Sequence, residues 1–149
     1  MLFRSARTIE LLDGVGKAPV HVRRDVPGFV GNRLQHALWR EAFALVEDGI
    51  CDAETVDFVV KNSFGMRLPV LGPIENADLV GLDLTLSIHE YLMPHLSRAS
   101  EPAAVLREHV ERGELGMKTG RGFRTWPAGE AQEVRERLVG HLVATSRGS

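Results

Sequence analysis

The residues best suited to chemistry lie in one short stretch, DVPGFVGNRL, which spans residues 25–34. Pro27 fixes its own φ near the value of a first helical turn, and Gly28 and Gly31 leave room for another backbone or a ligand to approach. Asn32 follows directly, and its amide offers a donor and an acceptor that do not change charge with pH. Such a group could hold a substrate carbonyl or hydroxyl, or orient a catalytic imidazole. Equally, an asparagine can satisfy local backbone groups.

Few other side chains form a recognisable catalytic or ligand-binding pattern. None of the six histidines stands in HExxH or another metal-ligand spacing with a second ligand, so no metal site is expected. The single cysteine, Cys51, has no adjoining basic cluster to activate it and is interpreted as a small apolar filler. No GxSxG, P-loop or GxGxxG motif occurs, so the chain contains no recognisable phosphate-binding loop.

Two pairs of charged residues lie beside glycines. Asp78 and Asp83 flank Gly81 and suggest paired carboxylates, but Asp83 near a helix start is explained by the helix dipole. Lys118 and Arg121 lie in the glycine-rich segment GMKTGRGF, where backbone amides and cations would suit an anion. The favoured alternative is a solvated turn in which glycine supplies positive φ.

Helical periodicity dominates the chain after Pro27. Apolar residues spaced by three or four run up to Gly49, and Asp52 can cap a second helix over residues 53–62. Further helices are predicted to begin near Ile74, after Gly81, at a Ser100 cap and near residue 130, with stops at Pro94 and Gly113.

The first 24 residues follow a different pattern. Residues 5–14 predict a short helix, and KAPVHVRRD predicts a brief strand because Val20 and Val22 flank His21. A helix and a strand ahead of a helical remainder are typical of the last unit of an α/β domain. The sequence therefore predicts an all-α fold, a bundle of five to seven helices over residues 25–149. A helix–strand remnant of an α/β domain precedes it at residues 1–24.

Composition excludes several classes of function. The net charge of −2 and the pI near 6.3 give no reason to expect binding to nucleic acid or to an anionic membrane. A single cysteine rules out an intramolecular disulfide and favours a reducing compartment. No uncharged apolar run reaches the roughly 18 residues of a spanning helix, and the first residues lack the features of a signal peptide. We therefore expect a cytoplasmic protein.

Four blocks of the sequence resemble, in order and spacing, the C-terminal domain of 3-hydroxyacyl-CoA dehydrogenases. They are DVPGFVGNRL, ALVEDGICDAETVD, LPVLGPIENADLVGLD and GMKTGRGFRTW. The resemblance covers residues from about 20 to 127, and residues 5–24 look like the last helix and strand of the preceding NAD-binding domain. It implies the helical fold found in the C-terminal domain of 6-phosphogluconate dehydrogenase.

The same resemblance implies a domain that forms a homodimer and closes the active-site cleft over the acyl chain of the substrate. That substrate is an acyl-CoA or a 3-hydroxy acid. The family's asparagine in this first block contacts the substrate or the catalytic histidine, and it corresponds to Asn32. The family's catalytic histidine–glutamate pair and dinucleotide-binding glycines belong to the N-terminal domain and have no match here. We therefore expect NAD in the complete enzyme, none bound by this chain alone, and no activity without a missing or separately encoded NAD-binding domain.

Two departures from the family pattern concern the substrate. Many fatty-acyl members have an apolar block like MGPFELLD where this chain has LGPIENAD, so Asn76 places an amide where an apolar residue is usual. Arg67, just before that block, adds a possible partner for an anion. Both residues are candidates for binding a polar 3-hydroxy acid such as gulonate or carnitine. The alternatives are that both face solvent, and that the chain is a dimerising domain without catalysis.

Overall fold

Helices form almost all of the regular structure. The computed structural model describes residues 2–146, and its seven α-helices are α1 (Leu2–Asp13), α2 (Gly31–Glu47), α3 (Ala53–Asn62), α4 (Pro73–Val80), α5 (Leu82–Leu92), α6 (Ala104–Glu111) and α7 (Glu130–Ser146). Single 3₁₀ turns, Phe64–Met66 and Met93–His95, follow α3 and α5. No strand occurs in this range, so the predicted all-α class is confirmed.

The chain divides into two compact units, Met1–Leu38 and Trp39–Ser149. The boundary falls inside α2, whereas the sequence predicted a division after residue 24. No helix among the described residues combines the length and the apolar character needed to cross a membrane.

The first unit contains α1 and the start of α2. The predicted helix is present as α1, but the strand predicted from KAPVHVRRD is wrong, since residues 17–22 have no regular structure. A strand is stabilised by hydrogen bonds to a neighbouring strand, and the described chain provides no such neighbour. Local alternation in the sequence could not reveal that absence.

The connection from α2 to α3 follows its sequence signals closely. Gly49 has a φ of +67°, and the amide of Ile50 donates to the Leu45 carbonyl at 3.0 Å, the hydrogen bond that closes a helix on a left-handed glycine. Asp52 then caps α3, because its carboxylate accepts from the Thr55 amide at 2.7 Å. That hydrogen bond holds the pKa of Asp52 below its ordinary value of 3.8. Both predicted end signals are confirmed.

The start of α6 corrects the predicted Ser100 cap. The helix begins at Ala104, and the Glu47 carboxylate at the end of α2 accepts from the amides of Ala104 at 3.0 Å and Val105 at 3.3 Å. A carboxylate that is distant in sequence thus satisfies the orphan donors of the first turn. Glu41, six residues earlier on α2, accepts from the Ser97 amide at 2.8 Å. Two carboxylates of α2 therefore hold the segment that leads into α6.

Helices α4 and α5 follow each other directly and are joined at Gly81. This glycine ends α4 and precedes α5 with a φ of +104°, and α5 ends at Leu92 before the turn that contains Pro94, as predicted. Both helices nevertheless keep large apolar side chains in solvent. No described side chain in the whole chain is fully buried. The described residues thus lack the closed core expected of a stable globular domain.

Candidate functional site

The first candidate site is the turn that leads into α2. The Phe29 amide donates to the Val26 carbonyl at 3.0 Å, and Gly28 and Phe29 both have left-handed backbones, with φ of +80° and +47°. Helix α2 begins two residues later at Gly31. Asn32 is therefore the second residue of the helix, where backbone N–H groups have no intrahelical acceptor.

Gly28 lies directly against the side chains of this first helical turn. A Cβ added to it would lie 3.3 Å from Arg33 Cγ and 3.5 Å from Asn32 Cβ. The groups that approach Gly28 thus belong to the first turn of α2, and the approach of another backbone or of a ligand stays a prediction. At Gly31, by contrast, an added Cβ would meet nothing within 4 Å.

The amide of Asn32 is exposed and available for binding. Within residues 6–145, whose side chains the structure describes, no hydrogen bond engages it. The alternative that this asparagine satisfies local backbone groups therefore gains no support from the described contacts. An uncommitted donor and acceptor at a helix start can bind a carbonyl, a hydroxyl or an imidazole.

The two other predicted substrate residues lie in the second unit. Arg67 follows the 3₁₀ turn after α3, where its amide donates to the Phe64 carbonyl at 3.1 Å, and its side chain is exposed. Asn76 lies within α4 and is half-buried. No described hydrogen bond or ion pair joins their side chains to each other, so each remains a separate prediction.

A pocket of about 590 Å³ lies within the second unit, a volume typical of small-molecule sites. Its walls come from the second half of α2, from α3, from α6 and from the loop between α6 and α7. Apolar side chains dominate the lining, among them Trp39, Phe43, Val46, Val56, Leu106 and Phe123. The charged or titratable residues on the wall are Asp57, His109, Glu114, Lys118 and Arg124.

The end of α6 explains how His109 and Glu114 meet. Gly113 has a φ of +72°, and the Glu114 amide donates to the His109 carbonyl at 2.8 Å, so the chain folds back over the last turn. The C-cap of α6 is Arg112. This type of helix ending brings Glu114, two residues after the C-cap, beside His109, three residues before it. The imidazole Nδ1 of His109 lies 2.6 Å from Glu114 Oε2 as a result. The side chains of His109 and Glu114 are 16% and 14% exposed.

Two arginines also form ion pairs with Glu114. Arg112 Nε lies 3.1 Å from Oε2, and Arg121 Nε lies 3.1 Å from Oε1. Burial alone would raise the pKa of Glu114, but the hydrogen bonds from His109 and Arg112 and the charges of both arginines outweigh burial and lower it. In return, the hydrogen bond to Glu114 raises the pKa of Arg112.

The imidazole ring of His109 also contacts a pair of stacked phenylalanines. The His109 ring centroid lies 4.5 Å from that of Phe123, and Phe123 stacks on Phe43 of α2 at 5.4 Å. The sequence did not predict the pairing of His109 with Glu114. The glycine stop at 113 was its only local signal.

The glycine-rich loop supports the structural interpretation of its motif. Gly116 and Gly120 have φ of +74° and +75°, and a Cβ added to Gly122 would lie 2.7 Å from Gly116 Cα. The loop therefore needs glycine for backbone reasons. Arg121 is paired with Glu114, while Lys118 lines the pocket and has no ion pair among the described residues.

Among the described residues, two further carboxylates, Glu54 and Glu130, share Arg124, at 3.3 Å and 3.8 Å. Asp83 lies in the first turn of α5, where the dipole favours it, and Gly81 lies so close that an added Cβ would be 2.8 Å from an Asp83 oxygen. Across the described residues, no group of three or more potential metal ligands is found.

Comparisons with known proteins identify the relatives of this chain. The family model for the 3-hydroxyacyl-CoA dehydrogenase C-terminal domain matches residues 28–126. The 5-formyl-3-hydroxy-2-methylpyridine 4-carboxylate 5-dehydrogenase of Mesorhizobium japonicum is 35% identical over 93% of this chain and 45% of its own length. A probable 3-hydroxybutyryl-CoA dehydrogenase of Bacillus subtilis is 42% identical over 76% of this chain and 38% of its own length.

Two further relatives extend the range of reported activities. The crystal structure of an enzyme with the same pyridine-carboxylate 5-dehydrogenase activity, described as an NAD⁺-dependent dismutase, superposes with a TM-score of 0.90 at 34% identity. The match covers 95% of this chain and 46% of that one. An L-carnitine dehydrogenase/betainyl-CoA thioesterase of Rhizobium meliloti is 43% identical over half of this chain and 15% of its own length. The chain thus spans less than half the length of these relatives.

Proposed function

Because the chain belongs to the 3-hydroxyacyl-CoA dehydrogenase family, as its C-terminal domain, we propose that it is the substrate-side and dimerisation half of an NAD-dependent dehydrogenase. The complete enzyme oxidises a 3-hydroxyl to a 3-keto group. The observation that supports this role most directly is the uncommitted amide of Asn32 in the first turn of α2.

The chemistry divides between two halves of the enzyme. Hydride transfer requires the nicotinamide against the substrate carbon and an acid–base group at the oxygen. The NAD-binding half supplies the cofactor site and that group. Asn32 binds the substrate oxygen or orients the catalytic imidazole, and it can do either without changing its own charge.

Arg67 supports a substrate that carries an anionic group. Arg67 is exposed and has no ion pair among the described residues, so its guanidinium can bind a carboxylate or phosphate. Two relatives act on carnitine and on a pyridine carboxylate, both of which carry a carboxylate group. A polar 3-hydroxy acid is therefore the second candidate substrate beside an acyl-CoA.

The exposed surface of α5 supports a homodimer. Leu84, Ile88, Tyr91 and Leu92 cover one broad side of the helix, and Leu82 and Leu86 lie beyond Thr85 and His89. A helix that is apolar around most of its circumference is normally buried. Within the described residues α5 packs only on α4 and the turn after it, so a second copy is the proposed cover.

A turnover assay tests the catalytic proposal. The chain alone and the chain joined to the NAD-binding half of the Mesorhizobium japonicum dehydrogenase are assayed with acetoacetyl-CoA and NADH, and with L-carnitine and NAD⁺. We expect turnover only from the joined protein. Turnover by the chain alone would refute the proposal that the NAD-binding half supplies the cofactor site and the acid–base group. A joined protein that folds, binds NAD and oxidises or reduces nothing in the panel would favour a dimerising domain without catalysis.

A further inference from the structure

The pocket of about 590 Å³ in the second unit has the size and the lining of a site for a ligand of its own. Small-molecule sites enclose roughly 300–1,000 Å³, with mostly apolar walls and a few polar groups that fix orientation. All lining residues fall between positions 39 and 126, within the second unit. None belongs to the turn that carries Asn32, so the proposed function gives this pocket no role.

The charges on the pocket wall are paired, with one exception. Asp57 and Arg124 each form an ion pair with a residue outside the lining, at 3.7 Å and 3.3 Å. Glu114 is paired with two arginines. Lys118 is the charged residue of the lining that has no ion pair among the described residues. The pocket therefore presents one uncompensated positive charge, whose complement in a ligand is an anion.

His109 does not offer a second donor to that anion. The pKa of Glu114 is lowered, against the effect of burial, by its hydrogen bonds and ion pairs, so its carboxylate is ionised at neutral pH. The contact of 2.6 Å then requires the proton on Nδ1 of His109, although Arg112 Nη2 also lies 3.3 Å from Nδ1. The other nitrogen of the neutral ring is an acceptor, which leaves the anion to Lys118.

The aromatic rings of the wall favour an aliphatic ligand over an aromatic one. Phe123 already contacts both Phe43 and His109, with ring centroids 5.4 Å and 4.5 Å apart. The guanidinium of Arg124 lies 4.7 Å from the centroid of Trp126 and covers one face of that ring. Because these faces are engaged with each other, a flat ligand has few of them to stack on. A flexible alkyl chain needs only apolar surface.

The exposure of Lys118 sets the orientation of the ligand. Lys118 lines the pocket but is exposed, so its stem lies along the wall and its ammonium reaches water at the rim. We propose that the pocket binds a medium-chain monocarboxylate, with its carboxylate at Lys118 and its alkyl chain against the apolar walls. This inference goes beyond the proposed function and does not rest on it, since it concerns a second ligand.

Tryptophan fluorescence measures the binding directly. The two tryptophans of the chain, Trp39 and Trp126, both line the pocket. The chain is titrated with octanoate, with decanoate and with the uncharged analogue decanol, each below the concentration at which it aggregates. We expect saturable binding of one decanoate per chain. The dissociation constant should fall about fourfold for each methylene added between octanoate and decanoate, as expected for a buried chain.

Substitution of Lys118 tests the contact with the carboxylate. Lys118→Gln should weaken the binding of decanoate at least fivefold and leave that of decanol unchanged, because only the carboxylate needs the cation. Lys118→Arg keeps the charge and should restore the affinity for decanoate. Lys17→Gln is the matched control, since it removes an exposed lysine from the first unit and should change neither ligand.

Four outcomes would each overturn the proposal. Absent or unsaturable binding means that decanoate only adsorbs to exposed apolar surface. Equal weakening by Lys118→Gln and Lys17→Gln, or of decanoate and decanol, means that Lys118 does not hold the carboxylate. Weakening by Asn32→Ala places decanoate in the substrate site. Binding confined to concentrations at which light scattering shows a monomer means that a second copy covers the pocket.

Discussion

At the scale of single residues, the most predictable feature is Asn32. Its importance follows from a local pattern, since Pro27, Gly28 and Gly31 prescribe a special helix start whatever surrounds them. The structure adds the left-handed backbone of Phe29, which no rule of residue preference predicts. Sequence reasoning thus located the turn but not its most strained residue.

Replacement of Asn32 should affect catalysis rather than folding. The side chain is exposed and makes no described hydrogen bond, so Asn32→Ala should leave Tm unchanged. In the joined protein kcat should fall roughly hundredfold, the order of magnitude observed when one donor to a developing charge is removed. Gln35→Ala, which removes another exposed amide from α2, is the matched control and should retain full activity. An unchanged kcat for Asn32→Ala would return this residue to a structural role.

At the scale of elements, end signals within one segment were sufficient for most helices. Asp52, Gly49 and Gly113 act on their own helices, and each lies where its residue type requires. The start of α6 was misplaced because its cap is Glu47, which lies 57 residues away. Gly113 was correctly predicted to end α6, but the pairing of His109 with Glu114 was not predicted. The backbone geometry of the helix ending decides which side chains meet there, and the residue types alone do not specify that geometry.

The Glu114 network makes the loop after α6 sensitive to acid. The folded pKa of Glu114 lies below its ordinary value of 4.5, since hydrogen bonds from His109 and Arg112 outweigh the effect of burial. A carboxyl with a lowered folded pKa stabilises the fold fully above pH 4.5, and this contribution is lost as pH falls through the folded value. Glu114→Gln should therefore destabilise the protein at pH 7 and make the loss of stability below pH 4.5 shallower.

Urea unfolding of the wild type and of Glu114→Gln between pH 7 and pH 3 measures how the free energy of unfolding depends on pH in each protein. Glu101→Gln is the control, because Glu101 pairs with Arg107 at 3.3 Å but is 81% exposed and should contribute little. Parallel stability curves for the wild type and Glu114→Gln would show that Glu114 is not linked to folding. A difference confined to acid pH would contradict the sign derived from its lowered pKa.

At the scale of the whole molecule, the sequence predicted the helices but could not reveal how incomplete their packing is. Amphipathic periodicity indicates which residues are apolar, not whether this chain covers them. Leu86 illustrates the difference, since helical spacing marks it as a core residue and the structure leaves it 60% exposed. We propose that other chains or domains cover these side chains, because burial of apolar surface is the dominant favourable term in folding.

A charge on α5 should weaken self-association. We expect the chain to be a dimer at micromolar concentration. Ile88→Asp, on the broad apolar side of α5, should raise the dissociation constant at least tenfold, which corresponds to about 1.4 kcal/mol, because the new carboxylate would lose water in the interface. Leu11→Asp is the matched control, since Leu11 is 67% exposed but lies on α1 in the first unit. Light scattering over a dilution series measures both variants. A monomeric wild-type mass, or equal weakening by the two substitutions, would remove α5 as the dimer surface and leave its apolar side to be covered by another part of the complete enzyme.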